Sequence, residues 1–163
     1  MKLKVGFGFD VHALKKGEKL ILGGVEVENS PLGTVGYSDA DVLIHAIIDA
    51  LLGAANLRDI GYQYPDNDIR YKGIKSTLLL EDTFNKIKEQ GFGIENIDAT
   101  ICLQSPKISF YIPKMQKCIS SILHLDMEDV NIKATTTEHL GFEGRKEGIS
   151  AYGICLLSKN KIK

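Results

Sequence analysis

A chain of 163 residues with 44% hydrophobic and 25% charged side chains is long enough for one substantial core, and with so ordinary a composition disorder is not expected. A formal net charge of -1 gives no global field for nucleic acid or an acidic membrane surface. Any anionic small molecule must therefore be held by local devices such as a metal, a helix N-terminus or single lysines.

Residues 2–12 alternate as a strand that ends in GFGFDVHAL. Alternate strand residues share a face about 6.6 Å apart, so Asp10 and His12 converge on one side. A turn is expected at 15–18, and short strand-like runs at 20–22 and 25–27. Ser38 then opens a helix to about residue 52, with Asp41 in the S-x-x-D position of a capping box and Gly53 as the stop. Val42, Leu43, Ala46, Ile47, Ala50 and Leu51 form its buried stripe, and His45 sits at the stripe's border. Asp41 and Asp49, one turn to either side, are placed to orient the His45 ring.

Residues 58–73 read as a long polar loop, the kind that carries function. A second helix spans 76–90 and closes at Gly91, a strand covers 94–103 until Pro106, and a third helix runs from Pro113 to about residue 125. Strands at 130–134 and 149–157 flank the polar turn TTTEHLGFEGRKEG. No repeat or linker interrupts the pattern, so the expected fold is α/β (α+β), a single domain over residues 1–163 with a mixed β-sheet and helices on one face. Cys102, Cys118 and Cys155 form no C-x-x-C pair, and no apolar leader or 18-residue apolar run occurs, so a cytoplasmic or plastid-like stromal protein is expected.

Asp10, His12 and His45 offer one carboxylate and two imidazoles, the ligand types of a tetrahedral zinc whose fourth position stays open for substrate. The plainer reading of His45 is a hydrogen-bonded core histidine. GFG does not continue as G-x-G-x-x-G, which removes a dinucleotide reading, and PDND lacks the glycine and glutamate of a calcium loop. Thr135, Thr136 and Thr137 are either a strand end or, beside Glu138, a cradle for phosphate oxygens and a hard divalent cation. His124 is expected at the surface, and His139 is ambiguous beside Glu138.

The segments GFGFDVHAL, LGGV, SDADVLIHAIIDALLGAANLRDIGYQYPDND, NIDATICLQSPK and NIKATTTEHLGFEGRKEGI fill nearly the whole chain in this order. Together they closely resemble the 2-C-methyl-D-erythritol 2,4-cyclodiphosphate synthase family. The resemblance implies a homotrimer around a central channel, with three active sites at subunit interfaces, acting in the non-mevalonate isoprenoid pathway. The substrate would be 4-diphosphocytidyl-2-C-methyl-D-erythritol 2-phosphate, cyclised to 2-C-methyl-D-erythritol 2,4-cyclodiphosphate with release of CMP.

By the same resemblance, Asp10, His12 and His45 are the zinc ligands and Glu138 holds a second divalent cation, Mg2+ or Mn2+. Asp59, Ile60 and Gly61 match the stretch that holds the methylerythritol part, with Asp66 in a neighbouring mobile loop. Gln104, Pro106, Lys107, Thr135 and Thr136 match the cytidine side, and Thr136 resembles the residue assigned to transition-state stabilisation. Phe142 and Arg145 match residues that in some members line the channel and bind an isoprenoid diphosphate. The family commonly reads His-Ser-Asp where this chain has Tyr37, Ser38 and Asp39. A phenol is neutral at pH 7, so Tyr37 donates a hydrogen bond to a diphosphate without supplying a titrating cation. A generic zinc hydrolase and a trimeric nucleotide-binding module are the competing readings, the first disfavoured by the absence of H-E-x-x-H.

Overall fold

In the computed structural model, which describes residues 1–159, five strands build one mixed sheet in the order β4-β1-β7-β5-β6. Strand β1 (Lys2–Lys15) pairs antiparallel with β4 (Gly33–Val35) on one side and β7 (Gly148–Lys159) on the other. Beyond β7, β5 (Gly93–Cys102) runs antiparallel to it and parallel to β6 (Val130–Thr135). A separate hairpin joins β2 (Ile21–Leu22) to β3 (Val25–Glu26). Its two-residue loop is Gly23-Gly24 at φ +58° and +75°, the double left-handed turn that glycine supplies without strain.

The central helix α1 (Val42–Ala55) is buried along nearly its whole length. It packs on β1 and β7 because strand glycines let it approach. A Cβ on Gly6 would lie 1.9 Å from the Ala50 carbonyl oxygen, and one on Gly8 would lie 2.0 Å from that of Ala46. Helices α3 (Ser76–Glu89) and α4 (Ile112–Leu123) complete the layer around α1, and the short α2 (Ile60–Gln63) and α5 (Gly141–Gly144) lie in connections. The even residues of β1 thus face α1, while Leu3, Val5, Phe7, Phe9 and Val11 point the other way and are exposed. Tyr152 and Ile154 continue that exposed face on β7, with the Phe9 and Tyr152 rings 5.1 Å apart.

Several boundaries differ from the sequence reading for local reasons. Helix α1 starts at Val42 rather than Ser38, because Ala40 is left-handed at φ +56° and Asp41 is itself the N-cap, accepting from Ile44 N–H at 3.1 Å. Gly53 does not stop α1, which continues to Ala55 and ends at left-handed Asn56, φ +60°. The polar stretch 58–73 contains α2 and a 3-10 turn, Ile69–Tyr71, each begun by an aspartate cap from Asp59 and Asp68. Strand β4 was not expected, and α4 stops at left-handed His124. Among the described residues no helix is long and apolar enough to cross a membrane.

Candidate metal centre and its cavity

The face of β1 that carries Gly6 and Gly8 continues into Asp10 and His12, and antiparallel α1 brings His45 over them from its first turn. Asp10 Oδ2 lies 3.0 Å from His12 Nε2 and 3.1 Å from His45 Nδ1, and the two ring nitrogens are 3.2 Å apart. A tetrahedral zinc with bonds near 2.0–2.1 Å needs ligand atoms about 3.3–3.4 Å apart, so this triangle fits the ion. The donor chemistry fits as well. His12 Nδ1 faces the Val35 carbonyl at 2.8 Å, an acceptor only, so Nδ1 carries the proton and the Nε2 lone pair points into the triangle. Gly36 makes room for this, since a Cβ there would sit 2.9 Å from His12 Cε1.

Burial alone would raise the Asp10 carboxyl, but the hydrogen bonds and charges of His12 and His45 outweigh it and hold the group below its usual range. For His12, burial works against the charged form, and the Asp10 bond and charge with the Val35 carbonyl overcome it and raise the imidazole. The half-buried Asp10 and His12 and the buried His45 thus turn one carboxylate oxygen and two ring nitrogens on a single point, the arrangement of a cation site.

On its far side the His45 ring meets Ser76 Oγ at 2.8 Å and Ser38 Oγ at 3.2 Å from Nε2. Ser76 is fully buried and bonded through both its hydroxyl and its N–H to Asp39. The ring is therefore not oriented by Asp41 or Asp49, as the helical spacing suggested. Asp41 is occupied with the N–H groups of Gly23, Gly24 and Ile44, and Asp49 accepts from Ile60 N–H at 3.2 Å. The sequence reading put Asp39 in the first turn of a helix opened by Ser38; the fold leaves it in the loop before α1 and brings it to Ser76.

The triangle forms the floor of a cavity of about 470 Å³ whose walls include Tyr37, Ser38, Ile60, Gly61 and Asp66. That volume is within the range of small-molecule sites. Tyr37 donates its hydroxyl to the Asp68 carbonyl at 3.1 Å, tying the wall to the 65–68 turn. Asp59 turns its carboxylate to Tyr62 N–H at 2.9 Å as the cap of α2, and it is not among the wall residues. Tyr64, Tyr71 and Leu79 also line the cavity and escaped the sequence reading. Tyr64 looks like an ordinary loop aromatic until its buried hydroxyl is seen bonded to Asp82 and Thr83, both at 2.8 Å.

A second cavity of about 200 Å³ collects Gln104, Pro106, Lys107, Thr135 and Thr136 at the ends of β5 and β6. It is remote from the first within one chain. Asp10 pairs with Ala151, Ala151 with Ile101 and Ile101 with Ala134, so Asp10 and Ala134 stand in one cross-strand row three strand spacings, about 14 Å, apart. Glu138 belongs with this second group, since Thr136 Oγ1 donates to its carboxylate at 3.2 Å. Glu138 and His139 are consecutive left-handed residues at φ +52° and +63°, costly for non-glycine residues, and His139 N–H is fixed to Gln104 Oε1 at 3.1 Å. The structure does not bring Glu138 to the aspartate and histidines of its own chain. Phe142 packs against Gly148, and exposed Arg145 pairs with Glu147 at 3.0 Å.

The model of the YgbB family matches residues 3–158 of this sequence. The chain belongs to the YgbB family. Over 159 residues it is 56% identical to a 2-C-methyl-D-erythritol 2,4-cyclodiphosphate synthase of Bacteroides fragilis, covering 98% of this chain and 99% of that protein. A protein of the same name from Parabacteroides distasonis is 55% identical over the same length. Among solved structures, the bifunctional IspDF from Campylobacter jejuni superposes with a TM-score of 0.93 at 43% identity, over 98% of this chain and 43% of that one. A Plasmodium falciparum IspF in complex with CDP superposes with a TM-score of 0.84 at 32% identity, over 97% of both chains. The resemblance read from the motifs is borne out across the YgbB chain, as is the expectation of an enzyme of the cyclodiphosphate synthase type.

Proposed function

We propose that this protein cyclises 4-diphosphocytidyl-2-C-methyl-D-erythritol 2-phosphate to 2-C-methyl-D-erythritol 2,4-cyclodiphosphate and CMP, as a homotrimer with three interfacial sites in the non-mevalonate route to isoprenoids. The observation that carries this reading is the Asp10, His12 and His45 triangle opening into a cavity of about 470 Å³. The substrate's 2-phosphate attacks the β phosphorus of the same molecule, so the reaction needs folding and alignment of one chain rather than a protein nucleophile. A zinc ion held by Asp10, His12 and His45, with Mg2+ or Mn2+ beside Glu138, supplies Lewis-acid neutralisation of the diphosphate when bound.

The chain's own groups do the positioning. Ser38 Oγ accepts Ala40 N–H at 3.2 Å and lies 3.2 Å from His45 Nε2, so with the ring proton on Nε2 its hydroxyl hydrogen is available to a phosphate oxygen in the cavity. Ile60 and Gly61 form the wall for the methylerythritol part, with Asp59 at the base of α2 and Asp66 at the rim. Gln104, Pro106, Lys107 and Thr135 receive the cytidine, and Thr136 faces the reacting diphosphate from a neighbouring subunit. CMP leaves as an acidic phosphate, so no strong general acid is required. Phe142 and Arg145 are assigned to the channel, as contacts for an isoprenoid diphosphate. The three free thiols support a reducing, cytoplasmic or stroma-like setting.

The test is to incubate the zinc-loaded protein with the cytidylyl substrate and follow products by phosphorus NMR. A cyclic diphosphate and CMP are expected, and His45→Ala should lose zinc and turnover together while its fold persists. Release of inorganic phosphate would make it a hydrolase, and an unchanged substrate with tight nucleotide binding would make it a binding module.

A further inference from the structure

Two carboxylates compete for the single ring proton of a neutral His45. Asp10 Oδ2 lies 3.1 Å from Nδ1 and would draw the proton there, toward the centre of the ligand triangle. On the opposite side, Nε2 lies 2.8 Å from Ser76 Oγ, in a position 8% exposed for His45 and fully buried for Ser76. What Ser76 does to Nε2 depends on where its own hydrogen goes. Its hydroxyl donates to Asp39 Oδ1, and its N–H donates to Asp39 Oδ2 at 2.9 Å. A carboxylate only accepts, so the hydroxyl hydrogen is spent on Asp39 and a lone pair of Oγ is what faces the ring. Asp39 is itself held in place, its N–H bonded to the Ile74 carbonyl at 3.0 Å and its carboxylate accepting Asp41 N–H at 3.3 Å.

We propose that Asp39 and Ser76 are positioning residues whose one-directional hydrogen-bond chain keeps the His45 proton on Nε2, so that the Nδ1 lone pair is presented to a divalent cation. This rests on the reading of Asp10, His12 and His45 as metal ligands. The chain joins two segments far apart in sequence, the loop before α1 and the first residue of α3, so the order of that loop is coupled to the donor state of the ligand.

The direction of the chain makes Asp39→Asn diagnostic. An asparagine that keeps Ser76 N–H on its carbonyl oxygen turns its amide N–H toward Ser76 Oγ and gives up the 3.3 Å bond from Asp41 N–H. The Ser76 hydroxyl must then swing its hydrogen to His45 Nε2, and the ring proton moves to Nδ1, where it blocks the cation. Ser76→Ala removes the acceptor without reversing the chain, and Ser76→Thr restores a hydroxyl.

The experiment measures zinc affinity by chelator competition at pH 8, together with the His45 tautomer by nitrogen NMR of the metal-free protein and its urea midpoint. The parent should show Nε2–H. Asp39→Asn should show Nδ1–H and bind zinc at least ten- to a hundredfold more weakly, the range found when partners of metal ligands are removed, with Ser76→Ala losing less and Ser76→Thr regaining affinity. Zinc affinity within twofold of the parent in Asp39→Asn and Ser76→Ala, or an unchanged tautomer in Asp39→Asn, would overturn the proposal. So would affinity losses that merely track the urea midpoint. Should Asp39→Asn fail to fold, the alanine and threonine variants decide by loss and recovery of affinity. A parent that shows Nε2–H yet binds no zinc sinks the metal reading and leaves the tautomer relay standing, so the two failures are told apart.

Discussion

Tyr37 stands where the family resemblance implies a histidine, and its hydroxyl has one hydrogen to give. The structure commits that hydrogen to the Asp68 carbonyl, 31 residues away, at 3.1 Å. While that bond stands, Tyr37 accepts but does not donate, so its expected role of donating to a diphosphate gives way to fixing the 65–68 turn against the cavity wall. Gly73 N–H bonded to the Tyr37 carbonyl at 2.8 Å secures the other end of the same segment. Removing the hydroxyl should therefore cost substrate affinity rather than chemistry. For Tyr37→Phe we expect a three- to tenfold weaker substrate affinity with turnover nearly unchanged, matching about 0.5–1.5 kcal/mol for one neutral hydrogen bond. Steady-state kinetics on the two proteins check this, and a large fall in turnover with unchanged affinity would return Tyr37 to the reacting diphosphate. Tyr37→His should remain active and add an ionisation between pH 5 and 8 that the parent lacks at this position.

At the scale of elements, β1 and α1 are one device. The sequence revealed that Asp10 and His12 share a strand face and that His45 rides on a helix, because periods of two and of about 3.6 are written in the residue order. It could not reveal why the glycines of GFG are there, since close helix-on-strand packing has no period of its own. Gly8→Ala would push a Cβ to 2.0 Å from the Ala46 carbonyl, so α1 must shift and His45 with it. We expect a loss of about 1–3 kcal/mol or more in urea unfolding, together with weaker zinc binding. Gly53→Ala is the contrast, because nothing lies within 4 Å of its would-be Cβ, and it should stabilise by about 0.5–1 kcal/mol. The capping pattern was equally half legible. S-x-x-D suggested a cap at Ser38, but the hairpin glycines 23 and 24 recruit Asp41, a long-range contact that no local pattern encodes. Burial drives the Asp41 carboxyl up to about 6, against the three N–H groups that favour its charge. Between about pH 4 and 6 the folded chain keeps a proton that the unfolded chain releases, so stability from this group is greatest below that window and is lost as pH rises through it. Unfolding of the parent and Asp41→Asn in chelator should show the parent gaining relative to the variant on acidification, by at most about 1.4 kcal/mol per pH unit. No relative gain between pH 6.5 and 4.5 would mean the carboxyl is not raised.

For the whole molecule, two features that look like defects in one chain would become complementary in the proposed homotrimer. Leu3, Val5, Phe7, Phe9, Val11, Tyr152 and Ile154 form an exposed apolar sheet face, with Phe7 61% and Val5 70% accessible, the kind of surface that marks an interaction site. The cavity above Asp10 and the cavity beside Thr136 lie about 14 Å apart across the sheet, too far for one diphosphate to reach both comfortably. In the proposed homotrimer, packing copies around that apolar face would set the Glu138 side of one subunit beside the His45 side of the next, a heterologous contact that would close into a ring. The consequence is quantitative. A His45→Ala subunit keeps a sound Glu138 half, and a Glu138→Ala subunit keeps a sound His45 half, so each homotrimer alone should be inactive. In trimers reassembled from an equal mixture, an interface works only when the right defective halves are turned away from it, a chance of about one in four under random assortment and closed symmetry. Mixed trimers, verified by differently tagged subunits, should therefore recover about a quarter of the parent's turnover. If the sites were complete within single chains, every chain would carry one defect and the mixture would stay dead at any ratio.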